Sequence, residues 1–185
     1  MADSYLEIQH EIFVSVAEQL SQQFPLNLSL TTMKEAVTEQ DLQDLKKKGL
    51  ITWDLTLKVG KTTTPVSNPE HMVVCVAYYG DGIDGYYCAG YALGCISKDN
   101  SSLEINFIEK RKDASTDLCY QFLPIMIEAF TAYGLYLNQE NMSSVDKIVL
   151  VGPIDGVKKY YKDQGFKLVS EYYKGEEAMI KSMDK

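Results

Sequence analysis

A tyrosine placed just before a glycine–phenylalanine pair is the feature of this sequence best suited to chemistry. The run from Lys147 reads KIVLVGPIDGVKKYYKDQGFKLV, with Tyr161 four residues ahead of Gly165. A phenol with a pKa of ~10 is protonated at neutral pH, so Tyr161 can act as a general acid. Tyr160 is adjacent and would point elsewhere on a helix, so only one of the two tyrosines can serve. We favour Tyr161. The alternative is a packing tyrosine, in a chain that contains 13 of them.

A basic cluster marks a second candidate site. Lys110, Arg111 and Lys112 lie between a predicted strand and a predicted helix. The N–H groups and the positive dipole end of a helix start attract phosphate oxygens, and Ser115 or Thr116 is suited to cap such a start. This segment therefore predicts phosphate binding, with ordinary solvated surface as the alternative.

Carboxylates at the end of the same strand are candidates for a general base. Glu109 can take a proton from a nucleophile directly or through water. Glu104 and Asn106 share a face of the strand and are alternatives to Glu109. Each also fits a residue at a sheet edge or in solvent. Asp155, at a predicted helix start, is expected there for stability alone.

The N-terminal part of the chain is predicted to contain two helices and a strand. Apolar residues recur at helical spacing over residues 4–23 and again over 38–48, where Gly49 ends the second helix. Leu50–Val59 alternates apolar residues with Thr and Lys, the period of a half-buried strand. Residues 60–70 carry no hydrophobic pattern and are predicted to be a loop.

The remainder predicts a sheet with helical crossings. Three strands, His71–Tyr79, Tyr86–Ser97 and Ser102–Glu109, are separated by the turn sequences GDGIDG and KDNS, as in an antiparallel meander. A helix of about 20 residues follows, with a kink or a late start at Pro124. Strands at 147–151, 166–173 and 177–182 and a helix at 155–164 complete an α/β (α+β) fold. Its sheet is mixed but mostly antiparallel, with helices on both faces.

This element order and the Tyr-x-x-x-Gly-Phe register resemble the GCN5-related N-acetyltransferases. The resemblance implies acetyl-CoA between two splayed central strands, direct attack by an amine, and protonation of the leaving thiolate by Tyr161. It implies no metal, and Glu109 is the candidate base. It also implies a cofactor-binding segment made of Phe107, Ile108, Glu109, Arg111, Lys112, Asp113, Ala114, Ser115 and Thr116.

The chain departs from the family pattern in two places. The pyrophosphate loop Gln/Arg-x-x-Gly-x-Gly/Ala keeps Arg111 but has Ala114 and Thr116 in place of glycines. The asparagine often found seven residues before the tyrosine is Ile154. These departures favour the main alternative function, a catalytically inactive domain of the same fold that serves as a binding or regulatory module. Transfer of a longer acyl chain or of an aminoacyl group is a further alternative.

Composition sets the remaining expectations. We predict one domain over 1–185, with N-terminal helices and a first strand over 1–70 and an acetyl-CoA-binding core over 71–185. A net charge of −8 disfavours nucleic acid and is compatible with a small-molecule or protein amine as substrate. Acidic residues near the N-terminus and the lack of a ~20-residue apolar run predict a cytoplasmic protein without membrane association. A monomer or homodimer is expected. The four cysteines form no CxxC pair and are expected to be free thiols in the core.

Overall fold

The computed structural model describes residues 2–55, 59 and 66–183. Its helices are α1 (Ala2–Ser21), α2 (Ala36–Lys47), α3 (Phe122–Gln139) and α4 (Asp155–Asp163). Its strands are β1 (Asn27–Thr31), β2 (Met72–Asp81), β3 (Gly85–Ile96), β4 (Ser102–Lys110), β5 (Lys147–Val151), β6 (Lys167–Tyr173) and β7 (Glu176–Ser182). Among the helices in the described ranges, none has both the length and the apolarity needed to cross a membrane.

The strands form one sheet in the order β1-β2-β3-β4-β5-β7-β6. Neighbouring strands are antiparallel except β4 and β5, which are parallel. A parallel pair requires a crossover, and α3 supplies it. The prediction of a mixed, mostly antiparallel sheet with helices on both faces is confirmed.

Each face of the sheet has its own apolar core. The larger core lies between the sheet and α1, α3 and α4, and we call this side the α4 face. The smaller core lies under α2, on the side that we call the α2 face. A β-bulge in β4 changes which residues point to which face: Ile105 and Phe107 pair with consecutive β3 residues, and Asn106 is the extra residue. Consequently Ile105 contributes to the core of the α4 face and Phe107 packs against the core of the α2 face.

The predicted strand Leu50–Val59 is wrong over its described part, and residues 56–58 lie outside the described residues. The chain bends at 51–53, and Leu55 and Val59 are helical. The cause is that residues four positions apart fit both the strand period of 2 and the helical period of 3.6. Ile51 and Leu55 are buried four residues apart, which is helical spacing hidden within an alternating pattern. Conversely, β1 escaped prediction because it has only five residues, two of them buried leucines.

Helix α3 begins later than the basic cluster suggested, at Phe122. Pro124 stands at its third position, so the predicted late start is confirmed. Ser115 caps instead a short 3₁₀ turn at Thr116–Leu118, where its hydroxyl accepts a hydrogen bond from the Asp117 N–H at 3.3 Å. The expectation that all cysteines lie in the core is wrong for Cys119, which is exposed on this extended connection.

Candidate functional site

The centre of the sheet opens between β4 and β5. These two strands pair only from Ser102–Ile105 on β4 with Lys147–Leu150 on β5. Strand β4 then continues to Lys110 beside β3, whereas β5 ends at Val151. The bulge at Asn106 bends β4, and the Gly152–Pro153 turn leads the chain away from the sheet. The edge of β4 that faces this opening is left without a neighbouring strand in the described sheet.

A cavity of about 210 Å³ occupies the opening. Its walls come from both faces of the sheet, with Trp53 and Phe107 on the α2 face and Val157 and Tyr161 on the α4 face. The other lining residues are Ile105, Asn106, Ile108, Leu150, Val151, Gly152, Pro153 and Ile154. The cavity thus lies where side chains of both faces of the sheet meet, an arrangement suited to two reactants that meet in the middle.

Tyr161 lies in the wall of this cavity. Its side chain is 9% exposed and packs beside Phe166, with the ring centroids 6.3 Å apart. No hydrogen bond joins its hydroxyl to the described residues, and burial raises its pKa above the ordinary value of 10. Tyr160, in contrast, donates its hydroxyl proton to the carbonyl of Tyr120 at 3.0 Å. The buried tyrosine of the pair is thus a protonated phenol on the cavity wall.

Glu109 is held by three hydrogen-bond donors. Its carboxylate accepts the backbone N–H groups of Thr52 and Trp53 at 2.8 and 2.9 Å. The Tyr91 hydroxyl, on a fully buried side chain, donates to it at 3.0 Å. Such bonds occupy the lone pairs that a base would use. Glu109 therefore fastens the 52–53 segment to the end of β4, and its role as a base stays a prediction.

Glu104 is likewise enclosed by donors. It is 3% exposed, and its carboxylate accepts hydrogen bonds from Ser67 at 2.6 Å and from Tyr172 at 2.9 Å. The Cys95 thiol donates to it at 3.4 Å. Asn106, the other alternative base, is the bulge residue and lines the cavity. Of these two, only Asn106 reaches the opening, and an amide is not a base.

The basic cluster makes its contacts within the protein. Arg111 forms a bidentate ion pair with Asp113, with distances of 2.6 and 3.0 Å, which lowers the pKa of that carboxyl. The guanidinium also stacks on Tyr87, 4.9 Å from the ring centroid. Lys112 donates through Nζ to the carbonyl of Gly49 at 2.9 Å. Phosphate binding by this segment, including Ala114, Ser115 and Thr116, stays a prediction.

The start of α3 offers different groups from those that the sequence indicated. The first N–H groups of a helix have no acceptor within it, which here means those of Phe122 and Leu123. Pro124 has no N–H to add. Tyr120, two residues before the helix, has a φ of 59°, a conformation that favours glycine. In the sequence, only Pro124 indicated where α3 begins. No pattern in the sequence predicted that Trp53 lines the cavity.

Comparison with solved structures gives the relationship of this fold to known proteins. Ard1 from Thermoplasma volcanium has a TM-score of 0.50 and 12% sequence identity, with 85% of this chain and 99% of that chain covered. A domain from Methanocaldococcus jannaschii has a TM-score of 0.50 and 10% identity, with the same coverage. The aminoglycoside 6'-N-acetyltransferase from Enterococcus faecium, at 0.45 and 12%, covers 85% of this chain and 98% of that one. No protein-family model and no curated protein matches the sequence.

The first two structures and the observed strand order together indicate the fold of this chain. Both likenesses extend over nearly the whole of the known chains. The seven-stranded, mostly antiparallel sheet, the crossover helix α3 and the opening between the parallel strands agree with the resemblance seen in the sequence. The chain has the fold of the GCN5-related N-acetyltransferase superfamily.

Proposed function

We propose that this protein transfers an acetyl group from acetyl-CoA to a primary amine. The observation that carries the proposal is the Tyr161 hydroxyl, which has no hydrogen-bond partner among the described residues and stands on the wall of a cavity between two splayed strands. The amine nitrogen attacks the thioester carbonyl, the C–N bond forms and the C–S bond breaks. Tyr161 then supplies the proton that the departing thiolate needs.

The donor is expected to bind along β4 beyond Ile105, where β5 no longer runs beside it. Backbone N–H and C=O groups of a strand can hydrogen-bond the amide groups of an extended arm, as in the addition of a strand. The N–H groups of Phe122 and Leu123, at the start of α3, are suited to hydrogen-bond the phosphate oxygens of the donor. The apolar side chains of Ile154 and Val157 shield the reacting thioester from water.

A second candidate function is a binding or regulatory module without catalysis. It is favoured by the internal use of Arg111 and Lys112, whose charged groups bond to Asp113 and to a backbone carbonyl. It is also favoured by Pro124, which removes one N–H from the first turn of α3. A module of this kind would not bind the pyrophosphate of acetyl-CoA.

Calorimetric titration with acetyl-CoA and an assay of CoA release separate the two functions. The proposed enzyme binds acetyl-CoA and releases CoA with at least one member of a panel of primary amines. Octanoyl-CoA as a second donor tests the alternative of longer acyl chains. Absence of both binding and release would support the module, and binding without release for every amine would contradict both functions.

Tyr161→Phe tests the catalytic assignment directly. Loss of the phenolic proton is expected to lower kcat about 100-fold, because general acids contribute at least that much. The stability is expected to change little, since the ring remains in the core. Tyr160→Phe is the matched control and should retain activity within about threefold. Equal kcat values for the two variants would contradict the role of Tyr161.

A further inference from the structure

We propose that Glu176 is the general base of this reaction, and that its acceptor is a primary amine on an apolar or aromatic body, bound at the α2 face of the opening. This inference rests on the proposed acetyl transfer. It replaces Glu109 as the expected base by a residue that lies far away in the sequence.

Glu176 lies beside the cavity wall at Gly152. A Cβ atom built on Gly152 would stand 3.1 Å from Oε2 of Glu176, and Gly152 itself lines the cavity. Gly152 has a φ of 63°, in the left-handed region that favours glycine. The absence of a side chain at this position leaves the carboxylate next to the opening.

A rigid hairpin fixes the position of Glu176. The two turn residues, Lys174 and Gly175, have φ values of 50° and 81°, as a type I′ turn requires. Glu176 pairs with Tyr173 directly after this turn. The residue is thus placed by a tight turn and by its pair with Tyr173, at the start of β7, and the regular pairing of β6 with β7 resumes at Ala178 and Val169.

Strand alternation directs Glu176 to the α2 face. The next residue, Glu177, reaches α4 and pairs with Lys158, so it points to the α4 face. Ala178 packs with Val151 on the opposite side. Glu176 shares the side of Ala178, because strand residues two apart point the same way. The proposed acid Tyr161 and the proposed base Glu176 therefore approach the opening from opposite faces.

The Glu176 carboxylate is available to a substrate. Within the described ranges, no hydrogen bond or ion pair joins it to the protein. The charged groups close to it are engaged elsewhere: Lys158 pairs with Asp155 and Glu177, and Lys174 lies over the ring of Tyr173 at 5.2 Å. The carboxylate thus keeps its lone pairs for an amine nitrogen, either directly or through one water.

The other wall at this face indicates the body of the acceptor. Trp53 is 49% exposed and packs edge-on against Phe107, with ring centroids 5.7 Å apart. An indole face provides apolar contact and attracts the cationic form of an amine during its approach. A carboxylate opposite an aromatic wall fits an amine carried on an apolar or aromatic group.

The step balances without any other reactant. The neutral amine attacks the thioester carbonyl and its nitrogen becomes positively charged as the C–N bond forms. Glu176 takes a proton from that nitrogen, the C–S bond breaks, and the thiolate takes the proton of Tyr161. Solvent then protonates the tyrosinate and receives the proton of Glu176.

Steady-state kinetics of Glu176→Gln with acetyl-CoA and phenethylamine test the inference. We expect kcat/KM for the amine to fall about 100-fold, the KM for acetyl-CoA to stay unchanged, and the acidic limb of the pH profile to disappear. Glu177→Gln is the matched control and should stay within about twofold with the acidic limb intact. Ethanolamine, which lacks an apolar body, is expected to be the poorer acceptor.

The outcomes separate this inference from the function beneath it. An active wild-type protein whose Glu176→Gln variant keeps its rate and acidic limb would overturn the base and leave acetyl transfer standing. Loss of rate in Glu109→Gln with loss of the acidic limb, and not in Glu176→Gln, would return the role to Glu109. Equal use of ethanolamine and phenethylamine would overturn the acceptor class. A wild-type protein that releases no CoA with any amine would overturn both proposals.

Discussion

Strands β4 and β7 each present a glutamate to the α2 face near the opening of the sheet, and the two carboxylates differ in what surrounds them. Glu109, at the end of β4, accepts three hydrogen bonds from the protein. Glu176, at the start of β7, accepts none from the described residues and stands beside Gly152. The same residue type therefore fastens a segment in one place and, in the other, lies next to Gly152, a residue of the cavity wall.

The difference shows how a site is recognised in this fold. A carboxylate surrounded by backbone N–H groups is held ionised and contributes to stability. A carboxylate or phenol without protein partners contributes little to stability and stays available to a substrate. By this criterion Glu109 and Glu104 belong to the framework of the protein, whereas Tyr161 and Glu176 are the residues that we propose for the site.

Glu109→Ala should give the largest change in stability. Thr52 and Trp53 lose the acceptor of their N–H groups, and the buried Tyr91 hydroxyl loses its partner. Three bonds to a charged group predict a loss of about 4 kcal/mol in the free energy of unfolding, measured by urea denaturation. Glu176→Ala, the matched control, is expected to change it by less than about 0.5 kcal/mol. Similar losses in the two variants would break the distinction between the two carboxylates.

His71 is another buried titratable group with a hydrogen-bond partner in the protein, and it does not line the cavity. Its Nε2 hydrogen-bonds the Tyr133 hydroxyl at 2.7 Å, and burial lowers its pKa from 6.5 to about 4. The unfolded chain gains a proton below pH 6.5 while the folded protein gains none until about pH 4. Stability from this group is therefore full above pH 6.5 and is lost as the pH falls, by up to about 3 kcal/mol.

Denaturation of the His71→Phe variant between pH 7 and pH 4 measures this contribution. The variant is expected to lose less stability over that range than the wild-type protein. The same substitution at His10 serves as the control for the loss of an imidazole elsewhere in the chain. A wild-type slope in His71→Phe would contradict a neutral, buried His71.

Gly152→Ala should give a smaller effect and sharpen the position of Glu176. The substitution forces a side chain into the left-handed region and places its Cβ close to Glu176, so we expect a loss of about 2 kcal/mol. Gly49→Ala is the control, because Gly49 has a similar φ of 70° and a Cβ there meets nothing within 4 Å. Equal losses of stability in the Gly152→Ala and Gly49→Ala proteins would show that contact with Glu176 adds nothing to the cost at Gly152.

Most of the longer patterns in the sequence predicted the fold well, and so did the five-residue strand at 147–151. The meander, the crossover helix with its late start at Pro124, and the final strands agree with the structure because their apolar periods extend over many residues. The short strand β1 and the segment after α2 were not predictable in this way. In the latter, Ile51 and Leu55 satisfy the strand period and the helical period together, and only packing under α2 decides between them.

The sequence by itself determined the element order from β2 to β7 and the tyrosine register at Tyr161, because both depend on local spacing along the chain. Only the tertiary structure decided which carboxylates accept hydrogen bonds from the protein. Two of the three donors to Glu109 come from residues more than 50 positions away, and Gly152 lies beside Glu176 through the pairing of β5 with β7. Hydrogen-bond partners so distant in sequence leave no periodic signal, and the availability of a group for chemistry depends on them.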